Sequence, residues 1–198
     1  MTLPRIGWIV VLALMFATGG ERARAESTAP AQKPAANATG LATKAFLDRL
    51  QDYVRYHNNV EKMVPPLVDT KDPAKISDRE KALGEALIKQ RPDAKPGDFF
   101  ILQYQPILLG IIKEDFAKRP VADRKALIRE LPKGLKVDVN GIYPTTIPLA
   151  TFPSNLLQKL PALPPQLEYR IVGRDLILRD VTGNVVVDVM REVFPIPA

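Results

Sequence analysis

The chain of 198 residues has no cysteine and a single histidine, His57. Without thiols it forms no disulfide, builds no thiolate metal site and offers no cysteine nucleophile, so packing alone must hold its core together. With one imidazole, a three-histidine zinc site is excluded, and any serine–histidine triad would hinge on His57. The glycines Gly97, Gly110, Gly134 and Gly141 stand isolated, which leaves no glycine-rich phosphate loop. Asp69, Asp72 and Asp78 do not form the clustered loop that calcium requires. No cofactor and no metal are expected.

Long apolar runs are also few. Ile6–Ala17 is one, behind the positive charge of Arg5, and as a helix it would be about 18 Å long against roughly 30 Å of hydrocarbon. Ala23-Arg24-Ala25 follows with the small-x-small pattern of a signal-peptidase site. Residues 1–25 therefore read as a cleaved signal peptide, with Glu26 as the mature N-terminus and a periplasmic or secreted destination. No paired arginine precedes the run and no cysteine follows it, which favours general secretion and excludes a lipoprotein anchor. The other run, Phe99–Ile112, is interrupted by Gln103, Gln105 and Pro106 and is too short to span a bilayer. Its apolar residues point in nearly all directions of a helix starting at Gln105-Pro106, so a central, buried helix is expected.

Charge of either sign is not concentrated. Cleavage would remove Arg5, Arg22, Arg24 and Glu21, taking 28 basic and 22 acidic side chains to 25 and 21, a net of +4. Without clustered Lys and Arg there is no nucleic-acid footprint.

Residues 26–40 are Ala, Pro, Thr and Lys without periodicity and read as a flexible linker. Residues 41–198 form one domain of ordinary size. Within it, 41–131 carry helical spacing. Phe46, Leu47, Leu50, Tyr53, Val54, His57, Val60 and Val64 share one face of a helix expected from a Thr43 cap to Val64, before Pro65-Pro66. Asp72-Pro73 opens a second helix to about Gln90, with Ile76, Leu83 and Leu87 inward. The Phe99–Ile112 region supplies a third helix, and Val121–Leu131 a fourth. Residues 132–166 are proline-rich and extended, with two helical turns expected over Ser154–Leu160 and a hairpin signal at Asn140-Gly141.

Residues 167–191 alternate as a three-stranded antiparallel meander, making the fold class α+β. Turns at Gly173-Arg174 and Gly183-Asn184 set Glu168 opposite Arg179, and Arg179 opposite Asp188. Leu167, Tyr169, Ile171, Leu176, Leu178, Val185, Val187 and Val189 then share the apolar face. Glu168, Arg179 and Asp188 form a charged row on the solvent face, beside Arg170, Ile177 and Met190. Such pairs mainly fix register.

"LEYRIVGRDLILRDVTGNVVVDVM" resembles the C-terminal ending of a family of exported bacterial proteins with no assigned activity. "FLDRLQDYVRYHNNVEKMVPPL" and "YPTTIPLATFPSNLLQKLPALP" are similar to two other segments of that family. The resemblance covers about half of residues 26–198 and implies export, but no catalytic residue. A fainter likeness links the meander to small periplasmic modules with a Tyr-Arg-hydrophobic-x-Gly hairpin.

The candidate binding residues are Arg170, Arg179, Asp188 and His57; no catalytic set is assigned. His57, beside Tyr53, Val60 and Glu61, is either a core histidine satisfied by Glu61, Asn58 or a carbonyl, or a general base or lone metal ligand. The leading expectation is an exported, non-enzymatic binding or envelope accessory protein. Its partner would be an envelope protein or polymer. The alternative is a small envelope hydrolase using paired carboxylates, since such catalysis needs only two opposed acids.

Overall fold

The computed structural model describes residues 36–132 and 134–195. The signal peptide expected at 1–25 and most of the 26–40 linker lie outside the described residues. Helix α1 runs Ala36–Glu61, α2 Pro73–Gln90, α3 Gln105–Lys118, α4 Val121–Glu130 and the short α5 Ser154–Leu157. Three strands follow, β1 (Leu167–Val172), β2 (Asp175–Asp180) and β3 (Val186–Met190), in the antiparallel order β1-β2-β3. The architecture is α+β, with helices first and the meander last.

Helix α1 begins before Thr43, which is not its cap: the Thr43 hydroxyl donates to the Thr39 carbonyl one turn back, at 2.9 Å. The last residues of the expected linker, from Ala36, are thus helical. Asp72 does cap α2, its carboxylate accepting from the Ala74 N–H at 3.0 Å with Pro73 in the first turn. Along α2, Leu83 and Leu87 are buried, whereas Ile76 is exposed. Helix α3 starts at Gln105-Pro106 and buries Leu108, Ile112 and Phe116; Ile107, Leu109 and Ile111 pack against the core's edge. It is therefore a one-sided core helix and not one enclosed all round.

The main core joins the sheet's first face to the helices. Phe46 stacks on Tyr104 at 4.5 Å and on Phe100 at 6.1 Å, over Leu167, Tyr169, Ile171, Leu176, Leu178, Val187 and Met190. The opposite face is covered too. Val172, Ile177, Val186 and Val189 pack against Val137 and Tyr143 of the proline-rich segment. That segment also extends the sheet. Ile142 bridges Val185, with the Asn140 N–H donating to the Val186 carbonyl and the Tyr143 N–H to the Asn184 carbonyl. Asn140 (φ 61) ends a turn closed by the Gly141 N–H on the Asp138 carbonyl, so Asn140-Gly141 leads into an edge bridge and not into a hairpin of its own. The expected solvent face is consequently a second, smaller core.

Register is as expected on one side of β2 and differs on the other. Gly173 (φ 57) begins the β1–β2 turn, pairing Glu168 with Arg179, Tyr169 with Leu178 and Ile171 with Leu176. Between β2 and β3 the pairs are Leu178 with Asp188 and Arg179 with Val186, with a shift between them. Val187 is the extra residue of a β-bulge, and the Asp180 N–H donates to the Val185 carbonyl, centring the turn on Thr182-Gly183. Arg179 therefore does not face Asp188. The bulge turns Val187 and Asp188 both toward the helices and leaves Val189, expected in the helical core, on the opposite face.

Helix α2 meets the β2–β3 turn backbone to backbone. A Cβ added at Gly84 would overlap the Gly183 carbonyl oxygen, and one added at Gly183 would lie 2.7 Å from Leu87 Cδ1. Gly110, in α3, faces open space. Gly84→Ala should therefore cost about 1–3 kcal/mol through overpacking. Gly110→Ala should stabilise by roughly 0.5–1 kcal/mol through helix propensity and reduced unfolded-state entropy. Paired denaturant melts check both; equal shifts would contradict the close approach.

Candidate functional site

Residues Tyr53 and His57 of α1 lay an aromatic and an imidazole one turn apart on the buried face, where the end of β2 brings up Asp180. Asp180 is fully buried, and its two oxygens are shared among three donors. Oδ2 accepts from the Tyr53 hydroxyl at 2.9 Å and meets His57 Nδ1 at 2.7 Å. Oδ1 accepts from the Gly183 N–H at 2.7 Å. One carboxylate thus ties α1 to the β2–β3 turn that α2 also touches.

His57 is 1 % exposed, and its second nitrogen, Nε2, lies 3.8 Å from Glu61. Glu61 in turn sits 3.4 Å from Arg79 of α2. The network therefore runs outward from a buried acid to half-exposed Glu61, which lines a surface cleft with Asn58, Arg79 and Thr182. Burial pulls the His57 imidazole down, but the hydrogen bond and charge of Asp180, joined by Glu61, outweigh it and raise its pKa above the usual value. Burial, with the Asp180 charge and hydrogen bond behind it, drives the Tyr53 phenol well up, so it serves as a proton donor to Asp180.

Asp188 occupies a different place. It is fully buried under the loop before α3 and accepts backbone N–H bonds from Gly97 (2.9 Å), Phe99 (2.8 Å), Phe100 (2.7 Å) and Val189 (2.7 Å). Burial raises its pKa, and these four donors oppose that rise. Among the described residues it forms no salt bridge.

Arg170 and Arg179 clasp Glu168 on the sheet face that the proline-rich segment covers. Arg179 Nη1 donates to Glu168 Oε1 at 2.6 Å and Nε to Asn184 Oδ1 at 2.9 Å, with its guanidinium 5.9 Å above the Tyr143 ring. Arg170 donates to Glu168 Oε2 at 2.5 Å and to the Ala150 carbonyl at 3.3 Å. Burial raises the Glu168 carboxyl, yet the two arginines more than reverse it, so its pKa is lowered. At 8 % exposure, Arg179 is not the wet-face residue expected from alternation.

The four residues singled out in the sequence therefore occupy three separate sites. Sequence reasoning paired His57 with its helical neighbours and missed Asp180, 123 positions away. The available signal was the Tyr53/His57 spacing on an apolar face, which demands a buried acceptor. Among the described residues, no group of three or more His, Asp or Glu is placed to hold a metal ion. No helix among them is long and apolar enough to cross a membrane. Comparison with known protein families, curated proteins and solved structures returned no match.

Because the folded His57 pKa is raised above an unfolded value of about 6.5, its stabilisation is complete below that pH. It is lost as pH rises through the folded value. Urea melts at stepped pH above 6 should show wild-type stability declining across this window, with the slope much reduced in His57→Gln; identical slopes would contradict the ion pair. Asp188→Asn retains size but swaps an acceptor for a donor among four N–H groups. It should cost about 2–4 kcal/mol, as buried charge-assisted bonds do, and a loss below about 1 kcal/mol would show the loop is not held this way.

Proposed function

We propose that this protein is an exported, non-enzymatic binding module of the cell envelope, as its family resemblance and N-terminal export pattern suggest. The observation that carries the binding reading lies where α1 gives way to α2. Two adjoining clefts, of about 450 and 810 Å³, flank Arg79 beneath the Val64–Thr70 connection. Volumes in this range suit small or extended ligands. Leu67 lines both and Val68 the smaller one, exposed at 48 % and 77 %, and Met63 nearby is 67 % exposed. Apolar side chains gathered at the rim of a cleft suit contact with a ligand better than solvation.

The paired-carboxylate hydrolase reading has less support. Asp180 and Asp188 are desolvated, but their oxygens are occupied by internal donors, and neither lines the clefts beside Arg79. Asp115 and Asp123 do share a cleft of about 470 Å³. Asp115, however, is bound by Arg119 and by Lys159 at 3.2 Å, which leaves it no role as a free acid or base.

The test uses protein immobilised as bait for fractionated envelope extract, in wild-type form and as the Leu67→Asp/Val68→Asp double variant. A component retained by the wild type should fall about tenfold or more on the variant, while exposed substitutions leave the melt within roughly 0.5 kcal/mol. Equal retention by both forms, or none by either, would overturn this placement of the binding surface.

A further inference from the structure

The ligand class at this cleft follows from Arg79, and the inference rests on the binding reading just given. The Arg79 side chain is 14 % exposed, and among the described residues its one contact with an acceptor is the 3.4 Å approach of Nη2 to half-exposed Glu61. Nε and Nη1 are shielded from water and meet no acceptor. A guanidinium carries five N–H donors in a planar fork that matches a carboxylate two bonds at a time. Leaving several of them unmade in a sheltered position is costly, so the site has an unmet demand for an acceptor.

The surroundings narrow what that acceptor belongs to. Val64, Pro65, Pro66, Leu67 and Val68 form an apolar wall along the same clefts. Their ionisable residues are Lys62, Lys75 and Arg79 against Glu61, Asp69 and Asp78, three cations balancing three acids. A doubly charged phosphate would enter with no surplus of positive charge to meet it. A single carboxylate needs only the guanidinium and can take over the long contact that Glu61 now makes.

We propose that Arg79 anchors the carboxylate of an apolar-tailed monocarboxylic acid, a long-chain fatty acid in class, whose tail lies along the Pro65–Val68 wall. Nη1 is buried and residues 65–69 line the cleft beside it, so we take entry to require those residues to lift. Among the described residues no hydrogen bond ties those five to α2, so the movement breaks apolar contacts only.

Dodecanoate, dodecanol and dodecyl phosphate, each below its micellar concentration, would be titrated calorimetrically into the purified protein and its Arg79→Met variant. Dodecanoate should bind the wild type at least about tenfold more tightly than it binds Arg79→Met, and more tightly than either analogue binds the wild type. Retention of affinity by Arg79→Met within about threefold, or tighter binding of dodecyl phosphate, would overturn the assignment. Should Arg79→Met fail to fold, dodecanoate labelled with ¹³C at the carboxyl carbon gives a second readout on the wild type. Its bound resonance should stay in the ionised position to lower pH than the free acid, and an unchanged or raised midpoint would again overturn the proposal. If dodecanoate does not bind while the envelope component still depends on Leu67 and Val68, the fatty-acid assignment fails and the binding reading stands. If dodecanoate binds through Arg79 but retention ignores Leu67 and Val68, the binding reading fails and the anchor stands.

Discussion

A carboxylate withdrawn from water must find enough donors to replace its hydration, and this requirement at Asp180 organises the molecule. The partners that satisfy it come from α1, through Tyr53 and His57, and from the β2–β3 turn, through the Gly183 N–H. Each is far from Asp180 or fixed by backbone geometry, so their convergence specifies one docking of the first helix on the last hairpin. Removing any one donor leaves the others holding a partly unsatisfied buried charge, which is why such clusters favour a single arrangement over near alternatives. The Gly84–Gly183 approach then brings α2 to the same turn, and Arg79 with it. Core, turn and cleft therefore share one electrostatic fixture.

Asp188 solves the same problem in another way. Its partners are all backbone N–H groups, three of them from the loop that precedes α3. A loop rich in turns leaves amides without helical or strand partners, and one buried carboxylate collects them. Arg91 adds to this corner by lying 5.7 Å over Tyr53 and 5.4 Å over Phe99. Asp180 and Asp188 thus act as fasteners between distant pieces of chain, and Arg170 and Arg179 clasp Glu168 on the face that the proline-rich segment covers.

Much of the secondary structure was legible because its causes are local. Pro73 after Asp72, Pro106 after Gln105 and Gly173 in the first hairpin each act over a few residues. The three-stranded meander and the Glu168–Arg179 pair followed from alternation and that tight turn. The β2–β3 register did not, because a bulge at Val187 is set by tertiary demand. Placing Asp188 under the loop amides needs one more residue in β3 than simple alternation allows. Alternation also implied a solvated face, yet the proline-rich segment covers it; proline weakens the strand signal without preventing the chain from lying across a sheet. At the candidate sites, His57 was visible as an isolated titratable group on an apolar helix face. Asp180 was hidden among seven other charges in the meander, and nothing local marks which of them is desolvated. Arg79 gave no sequence signal either, since an arginine on a polar-rich helix looks like any surface residue until its missing acceptors are seen.

The contact of Gly84 with Gly183 also sets the mechanical tolerance of the cleft. Gly84 lies five positions beyond Arg79, about 7.5 Å along the axis of α2. Where Gly84 meets Gly183 no side chain separates helix from turn, so that point has no compressible layer to absorb a displacement. A small tilt of the β2–β3 turn would be delivered to the arginine as a rigid lever delivers it, without the damping that a leucine or methionine spacer would provide. The floor of the cleft beside Arg79 is therefore gauged from the hairpin, while the 65–69 connection forms its roof.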